Sequence, residues 1–379
     1  MSNAATPAPA LRGGPPPEPQ LRARRGALAA ALLGVLACVL AAQQDSAQLL
    51  HSWLAAWLFF LGLSLGSMGA LMMHHLTGGG WSEAVHRYFA AALAPLPLLA
   101  LLFVPIAAAT GQIFPWASAP VRATDWVGKA KAAYLTDGFF VARAIVLLLA
   151  WLAVAALLRR YRARPQPLVA LSAVGLIVYF LTMTVAAVDW IGSLEPHWSS
   201  TALGMVVTVG QGLGAFALAV GCATRPLQGA RPSPARCGDL GNLLLAFVMT
   251  WMYLAFVQYL VTWAEDLPRE TVWYLPRLET GWRWLALAVI AAQFALPFSL
   301  LLFRRLTRDA RTLGAIALLL LAGNWLNAEW LVLPSLAHAR AALHWTDGAV
   351  TVGIGGAWLY VFLRALAPAS TATGAAHER

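Results

Sequence analysis

Apolar residues run along this chain in ten long blocks, separated by shorter stretches where arginine, proline, glycine and polar residues collect. A helix that crosses the hydrocarbon of a bilayer needs roughly 20 mostly apolar residues, because every backbone N–H and C=O must be satisfied within the segment. The blocks at 26–42, 53–76, 84–109, 140–158, 168–188, 199–221, 240–263, 281–303, 312–333 and 346–366 meet that demand, and the first is the shortest. They predict an all-α integral membrane protein with about ten transmembrane helices forming one membrane domain, 26–366. Residues 1–25, rich in Pro, Ala and Arg, read as a disordered cytoplasmic tail, and 367–379 as a second short cytoplasmic tail. No small-residue cleavage site follows the first block, which is therefore read as a retained span.

Composition agrees with the pattern. With 60% hydrophobic and 11% charged residues, the chain is far from the soluble average. A soluble core could supply one or two such blocks, but not ten. The formal charge of +10 invites a nucleic-acid reading until the basic residues are placed on the spans. With the N-terminus inside, 17 of them fall on the cytoplasmic side: Arg12, Arg22, Arg24, Arg25, Arg159, Arg160, Arg162, Arg164, Arg225, Arg231, Arg236, Arg304, Arg305, Arg308, Arg311, Arg364 and Arg379. Six fall outside: Arg122, Lys129, Lys131, Arg269, Arg277 and Arg340. Arg87, Arg143 and Arg283 sit at span ends. This split follows the positive-inside rule, so both termini are expected in the cytoplasm of a bacterial-type inner membrane. The excess charge sets topology, and no nucleic-acid partner is implied. The cysteines Cys38, Cys222 and Cys237 have no metal or redox spacing, and Cys237 is expected in a cytoplasmic loop.

The outer loops, 110–139 and 264–280, are long and aromatic. They carry Trp116, Trp126, Tyr134, Phe139, Trp273 and Tyr274, which suggests a docking surface for an external partner or an interfacial aromatic belt. Gly62, Gly66 and Gly69, like Gly210 and Gly214, have the small-residue spacing of close helix contacts. Pro95, Pro97 and Pro105 are expected to break the third span, and Pro297 the eighth.

Candidate chemistry concentrates after the fifth span, in Asp189-Trp190-Ile191-Gly192-Ser193-Leu194-Glu195-Pro196-His197-Trp198. Asp189, Glu195 and His197 together could pass protons to the outside, since each can accept and release one. The plainer alternative is an interfacial turn, with Asp189 as a cap and Pro196 opening a helix. Glu329, within Asn324-Trp325-Leu326-Asn327-Ala328-Glu329-Trp330, is the most embedded carboxylate and a further proton-transfer candidate. Gln258 and Gln293 read as hydrogen-bonding groups between helices. His74, His75 and His86 bracket one cytoplasmic turn. His51, His197, His338 and His344 lie at the outer boundary, and His377 in the tail. No pair faces another across the bundle as bis-His haem ligation requires, so no cofactor is expected in this chain.

Several segments resemble one family. They are His75-Leu76-Thr77-Gly78-Gly79-Gly80-Trp81, Leu102-Phe103-Val104-Pro105-Ile106, Lys131-Ala132-Ala133-Tyr134-Leu135 with Phe139-Phe140 and Arg143, and the Asp189–Trp198 run. Gln258, Trp263, Leu267-Pro268, Thr271 with Trp273-Tyr274-Leu275, and Phe294-Ala295-Leu296-Pro297-Phe298 complete the set. In this order, on ten spans, they resemble the F subunit of alternative complex III, a quinol:cytochrome c oxidoreductase. That subunit belongs to the wider group of NrfD and polysulfide-reductase-type membrane anchors. The chain departs from the family at Thr136, where Asn is common, at Ala90, where Glu is common, and at Gln293, where His is common. The resemblance implies two four-helix bundles, spans 2–5 and 6–9, flanked by spans 1 and 10. It also implies a scaffold and proton-route role among a homologous ten-span subunit, to which the quinol site is more readily assigned, an external iron–sulfur subunit and c-type cytochrome subunits that carry the haem and clusters, with quinone contact by this chain left open. A stand-alone transporter is the alternative. That class places broken helices and charges at the midplane, often in corresponding halves.

Overall fold

The computed structural model describes residues 17–118, 133–161, 164–227, 229–336 and 342–366. The tails at 1–16 and 367–379, together with the expectations on Trp126, Lys131 and His338, lie outside these residues. Among the described residues all regular structure is helical, and ten helices are long and apolar enough to cross a membrane. Spans 1 and 2 are Glu18–Gln44 and Ser46–Thr77. Span 3 runs as three pieces, His86–Ala92, Leu96–Leu101 and Val104–Ala108. Spans 4 to 7 are Asp137–Tyr161, Pro165–Trp190, Leu203–Thr224 and Pro234–Glu265. Span 8 is Arg283–Leu301, and spans 9 and 10 are Ala310–Leu336 and Trp345–Ala365.

Several helix ends differ from the hydropathy blocks because polar residues find partners there. Span 1 starts at Glu18, not at residue 26, so residues 18–25 are helix rather than disordered tail. Gln20 donates to the carbonyls of Leu363 (2.8 Å) and Leu366 (3.3 Å), and Arg24 donates to that of Leu363 (2.9 Å), which ties this first turn to the end of span 10. Span 2 starts seven residues before its apolar block: Asp45 caps it by accepting from the Gln48 N–H at 3.0 Å, and Gln48 and Ser52 then bond to span 10. Cys237 lies in the first turn of span 7 and is buried, rather than in a loop.

The helices pack as two bundles. Span 2 lies against spans 3 and 5, and span 4 against span 5; span 6 lies against spans 7 and 9, and span 8 against span 9. The bundles join through spans 2 and 6, with span 5 touching span 6 and span 9 touching span 2 in corresponding positions. Spans 1 and 10 pair along their length and lean on span 2. Span 6 approaches span 2 so closely that a Cβ at Gly66 would collide with the Gln211 carbonyl, and spans 1 and 10 cross at Gly34 and Gly353 with the same lack of room. Missing side chains, not sequence polarity, permit these crossings.

Two spans are interrupted. Prolines 95, 97 and 105 cut span 3 into short pieces, as expected. In span 8 Pro297 has no N–H for the Gln293 carbonyl, and the turn before it, Ile290–Ala295, widens into a π-helix. Spans 3 and 8 do not occupy corresponding places in the two bundles. The loop aromatics also differ from a displayed docking face. Trp116 is buried against Phe114 and Phe140 at ring distances of 5.7 and 5.5 Å, and Trp273 and Tyr274 are buried at the end of the second bundle. Phe139 remains exposed.

Candidate functional site

The polar groups cluster at the face opposite the one where span 1 begins and span 10 ends. In the first bundle, span 4 begins with Asp137 and brings Arg143 to face Asp189 on the last turn of span 5. The guanidinium grips the carboxylate with two bonds, Nε to Oδ2 at 2.7 Å and Nη2 to Oδ1 at 3.0 Å, and Nη1 donates to the Tyr134 carbonyl at 2.9 Å. Its plane lies 3.7 Å from the Tyr134 ring centre and 4.3 Å from that of Phe139. Asp189 is wholly buried. It is therefore the anion of a forked ion pair, not a helix cap, and only a planar guanidinium can make this contact. Burial, and then the Asp189 charge, push the Tyr134 hydroxyl up to about 12. Arg143 was visible in sequence only as a span-end charge and as one residue of a family segment.

The run after Asp189 turns away from that pair. Gly192–Leu194 form a single 3-10 turn, and the next helix starts at Leu203, so Pro196 opens no helix. Trp198 stacks on Trp273, ring centres 4.2 Å apart and 16° from parallel. On Trp273 lies the guanidinium of Arg277, 3.4 Å from the ring centre. Arg277, counted from sequence as an outer-loop charge, is fully buried. It donates to the carbonyls of Trp273 (2.7 Å) and Leu331 (3.0 Å) and to Ser335 Oγ (2.9 Å). Burial draws its pKa down to about 9, with the charge of Glu195 acting in the opposite direction. Asp189 thus belongs to the first bundle's pair, Glu195 stands in the field of the second bundle's cation, and His197 is exposed.

On span 9 Asn324 and Asn327 share one side, and Glu329 does not. Each residue turns the helix by about 100°, so Glu329 points about 140° away from Asn324. Asn324 Nδ2 donates to the Gly210 carbonyl of span 6 at 2.8 Å, and Asn327 faces spans 6 and 7. Glu329 instead lies toward span 10, within electrostatic reach of Asp347. It is fully buried and neither of its oxygens has a hydrogen-bond partner, while the neighbouring Trp325 indole donates to Thr351 at 3.1 Å. Asp347 accepts from Ser52 Oγ (2.6 Å), Gln48 Nε2 (3.3 Å) and the His344 N–H (2.7 Å). Sequence reasoning missed this polar knot because Gln48 and Ser52 lie about 300 positions from Asp347.

Two cavities meet behind these groups. One, of about 560 Å³, is lined by Ser199, Ser200, Thr201, Thr262, Glu265 and Glu270 among others. The other, of about 380 Å³, is mostly apolar and lies among spans 6 to 9. Leu203 and Gln258 line both. Gln258 accepts from Ser200 Oγ at 3.2 Å and donates to the Tyr274 hydroxyl at 3.3 Å, so it ties span 7 to the loops before spans 6 and 8 and not to another helix. Gln293 plays no such part, since both its amide atoms are buried without a partner. Deeper in, the Tyr179 hydroxyl of span 5 donates to Gln211 of span 6 at 2.7 Å, beside a void of about 40 Å³ lined by Asn324 and Asn327.

At the other face His74, His75 and His86 gather with ring centres 6.1 to 6.5 Å apart. His75 Nδ1 meets Ser172 Oγ at 2.9 Å, and His74 Nε2 meets Ser82 Oγ at 3.0 Å. Among the described residues no group of three His, Cys, Asp or Glu side chains is arranged to hold a metal ion. What these observations establish together is a polytopic membrane protein with ten membrane-crossing helices among the described residues. No model of a known protein family matches the chain, and no curated protein matches it either.

Proposed function

We propose that this chain is a membrane subunit of a respiratory quinol:cytochrome c oxidoreductase of the alternative complex III type. It serves as scaffold and offers Glu329 as the carboxyl of a proton route. Both termini are in the cytoplasm, and the opposite face receives the iron–sulfur and c-type cytochrome subunits. The observation that carries the reading is that the segments behind the family resemblance, scattered from Tyr134 to Tyr274, converge in space. Tyr134, Phe139, Arg143 and Asp189 form one clamp, while Trp198 with Trp273, and Gln258 with Tyr274, join the second bundle beside it. Residues that meet from three spans and three loops are held for a common purpose, and lipid-facing stretches have no need of them. Glu329 supports the proton role because an unpaired carboxyl in the membrane interior costs several kcal/mol when charged, roughly 3 or more. Asp189 is a weaker candidate, since its oxygens are committed to Arg143. The test is purification of the tagged chain from its native membrane in a mild detergent. Copurifying iron–sulfur and c-type cytochrome subunits are the expected result; a chain that emerges alone, active in solute uptake after reconstitution, overturns the reading in favour of a transporter.

A further inference from the structure

We infer that Glu329 of span 9 and Asp347 of span 10 form a binding site for one alkali cation, sodium or potassium, which enters from the face that carries the Arg143–Asp189 pair. The packing of the two spans sets the carboxylates opposite one another. The Trp325 indole donates to Thr351 at 3.1 Å, which fixes one level of contact between spans 9 and 10. Four residues advance a helix by about one turn along the same side. Glu329 follows Trp325 by four residues, Asp347 precedes Thr351 by four, and the two spans run in opposite directions. Both carboxylates therefore stand one turn nearer that face, each toward the other's helix. One turn further out, Leu333 lines a cavity of about 260 Å³ together with Asp347, Gln48, Trp282 and His344. Leu343, on the same wall, is exposed, so the cavity opens to the surface and leads down to the carboxylates.

The protein's own groups do not balance this pair. Glu329 and Asp347 are 0% and 1% exposed, and among the described residues neither forms an ion pair with an arginine or lysine. The nearby histidines are engaged elsewhere: His51 Nε2 meets the Gln112 carbonyl at 3.4 Å, and His344 Nδ1 meets Thr346 Oγ1 at 2.9 Å. Asp347 has donors for its charge in Ser52 Oγ, Gln48 Nε2 and the His344 N–H. Glu329 has none, and neither of its protonation states is satisfied. The carboxylate finds no donor and the acid finds no acceptor, a cost of about 1–3 kcal/mol for a neutral group and more for a charged one. A cation held on the Glu329 oxygens removes that cost. The ligands at hand are oxygens, from two carboxylates and the hydroxyls of Ser52 and Thr346, 3.0 Å apart, and oxygen ligands suit a hard cation. Because hydrogen bonds already stabilise the Asp347 charge, a single positive charge neutralises Glu329. A divalent ion would leave surplus charge in a poorly solvated place.

The inference stands on the burial and charge of this pair and not on membership of any complex. A chain that binds the cation but copurifies with no redox subunit sinks the proposed function and leaves this site standing, and the reverse result does the opposite. The full chain, in nanodiscs of phosphatidylcholine alone and in choline chloride, is equilibrated in turn with radiolabelled sodium and with radiolabelled rubidium, a tracer for potassium. Saturable binding of one label is expected, and whichever of sodium and potassium chloride displaces it at the lower concentration identifies the ion. Glu329→Gln, which keeps the shape and breaks no hydrogen bond, weakens binding about 10-fold or more, and Glu329→Asp, which keeps the charge, loses less. Glu265→Gln, at an exposed carboxylate on the last turn of span 7, changes nothing. No saturable binding of either label, equal affinity in wild type and Glu329→Gln, or displacement by calcium at a lower concentration than by either alkali salt overturns the inference. Should Glu329→Gln fail to assemble, unchanged affinity in Asp347→Asn overturns it instead.

Discussion

Replacing Asp189 by Asn removes one charge from the forked pair with Arg143 while keeping size and shape. Two bonds between a cation and an anion, each worth about 1.5–3 kcal/mol, become at best one bond from the guanidinium to a neutral amide oxygen. The cation stays behind, only 11% exposed, with the Tyr134 carbonyl as its remaining acceptor. Breaking a buried pair by removing one partner costs about 3–5 kcal/mol, and we expect about 3 here because the amide oxygen keeps one contact. That loss shifts the folding equilibrium more than 100-fold. The assay is unfolding in mixed micelles of increasing dodecyl sulfate, followed by tryptophan fluorescence, for Asp189→Asn, and for the cycle of Arg143→Met, Asp189→Leu and the double variant Arg143→Met/Asp189→Leu. Because the double variant leaves no orphaned charge, it should recover most of the loss, with a coupling energy above about 1.5 kcal/mol. A loss near 1 kcal/mol for Asp189→Asn, the value of an ordinary helix cap, with additive single variants, would refute the buried-pair account.

Four further outcomes are expected. Gly66→Ala forces spans 2 and 6 apart and costs about 1–3 kcal/mol in the same assay, whereas Gly26→Ala, which meets nothing within 4 Å, does not destabilise. Tyr134 ionises near 12 rather than 10, so it contributes stability that is whole below pH 10 and is lost as pH rises through about 12; ultraviolet titration of wild type against Tyr134→Phe reads this directly, and Asp189→Asn lowers the midpoint. Glu329→Gln breaks no hydrogen bond and should assemble normally, yet slow quinol:cytochrome c turnover of the purified complex by about 10²–10⁴ if the carboxyl carries a limiting proton step; full turnover removes Glu329 from the route. A reporter fused after Arg379 should be active only in its cytoplasmic form, and periplasmic activity would reverse every side assignment.

The ten spans were legible in the sequence because a bilayer makes each helix satisfy its own backbone, so that block length and hydropathy suffice without knowledge of neighbours. The breaks at the prolines of span 3 and before Pro297 were legible for the same local reason. Helix ends were not, where polar residues continue the helix only because a distant partner is present, as Gln20 does with Leu363 and Ser52 with Asp347. The candidate site was legible only as a list. Asp189 and Glu195 are six positions apart, yet one faces Arg143 and the other lies in the field of Arg277, because the chain turns from the first bundle to the second between them. Arg277 looked like a solvated loop charge and is instead buried beneath two tryptophans, with acceptors from span 9. Glu329 and Asn327 share a short motif but face different helices, since two residues turn a helix by about 200°. Hydropathy is a property of each residue and is written in the sequence; pairing is a property of two residues brought together, and in this protein only the packing of the two bundles decides which buried charges have partners and which do not.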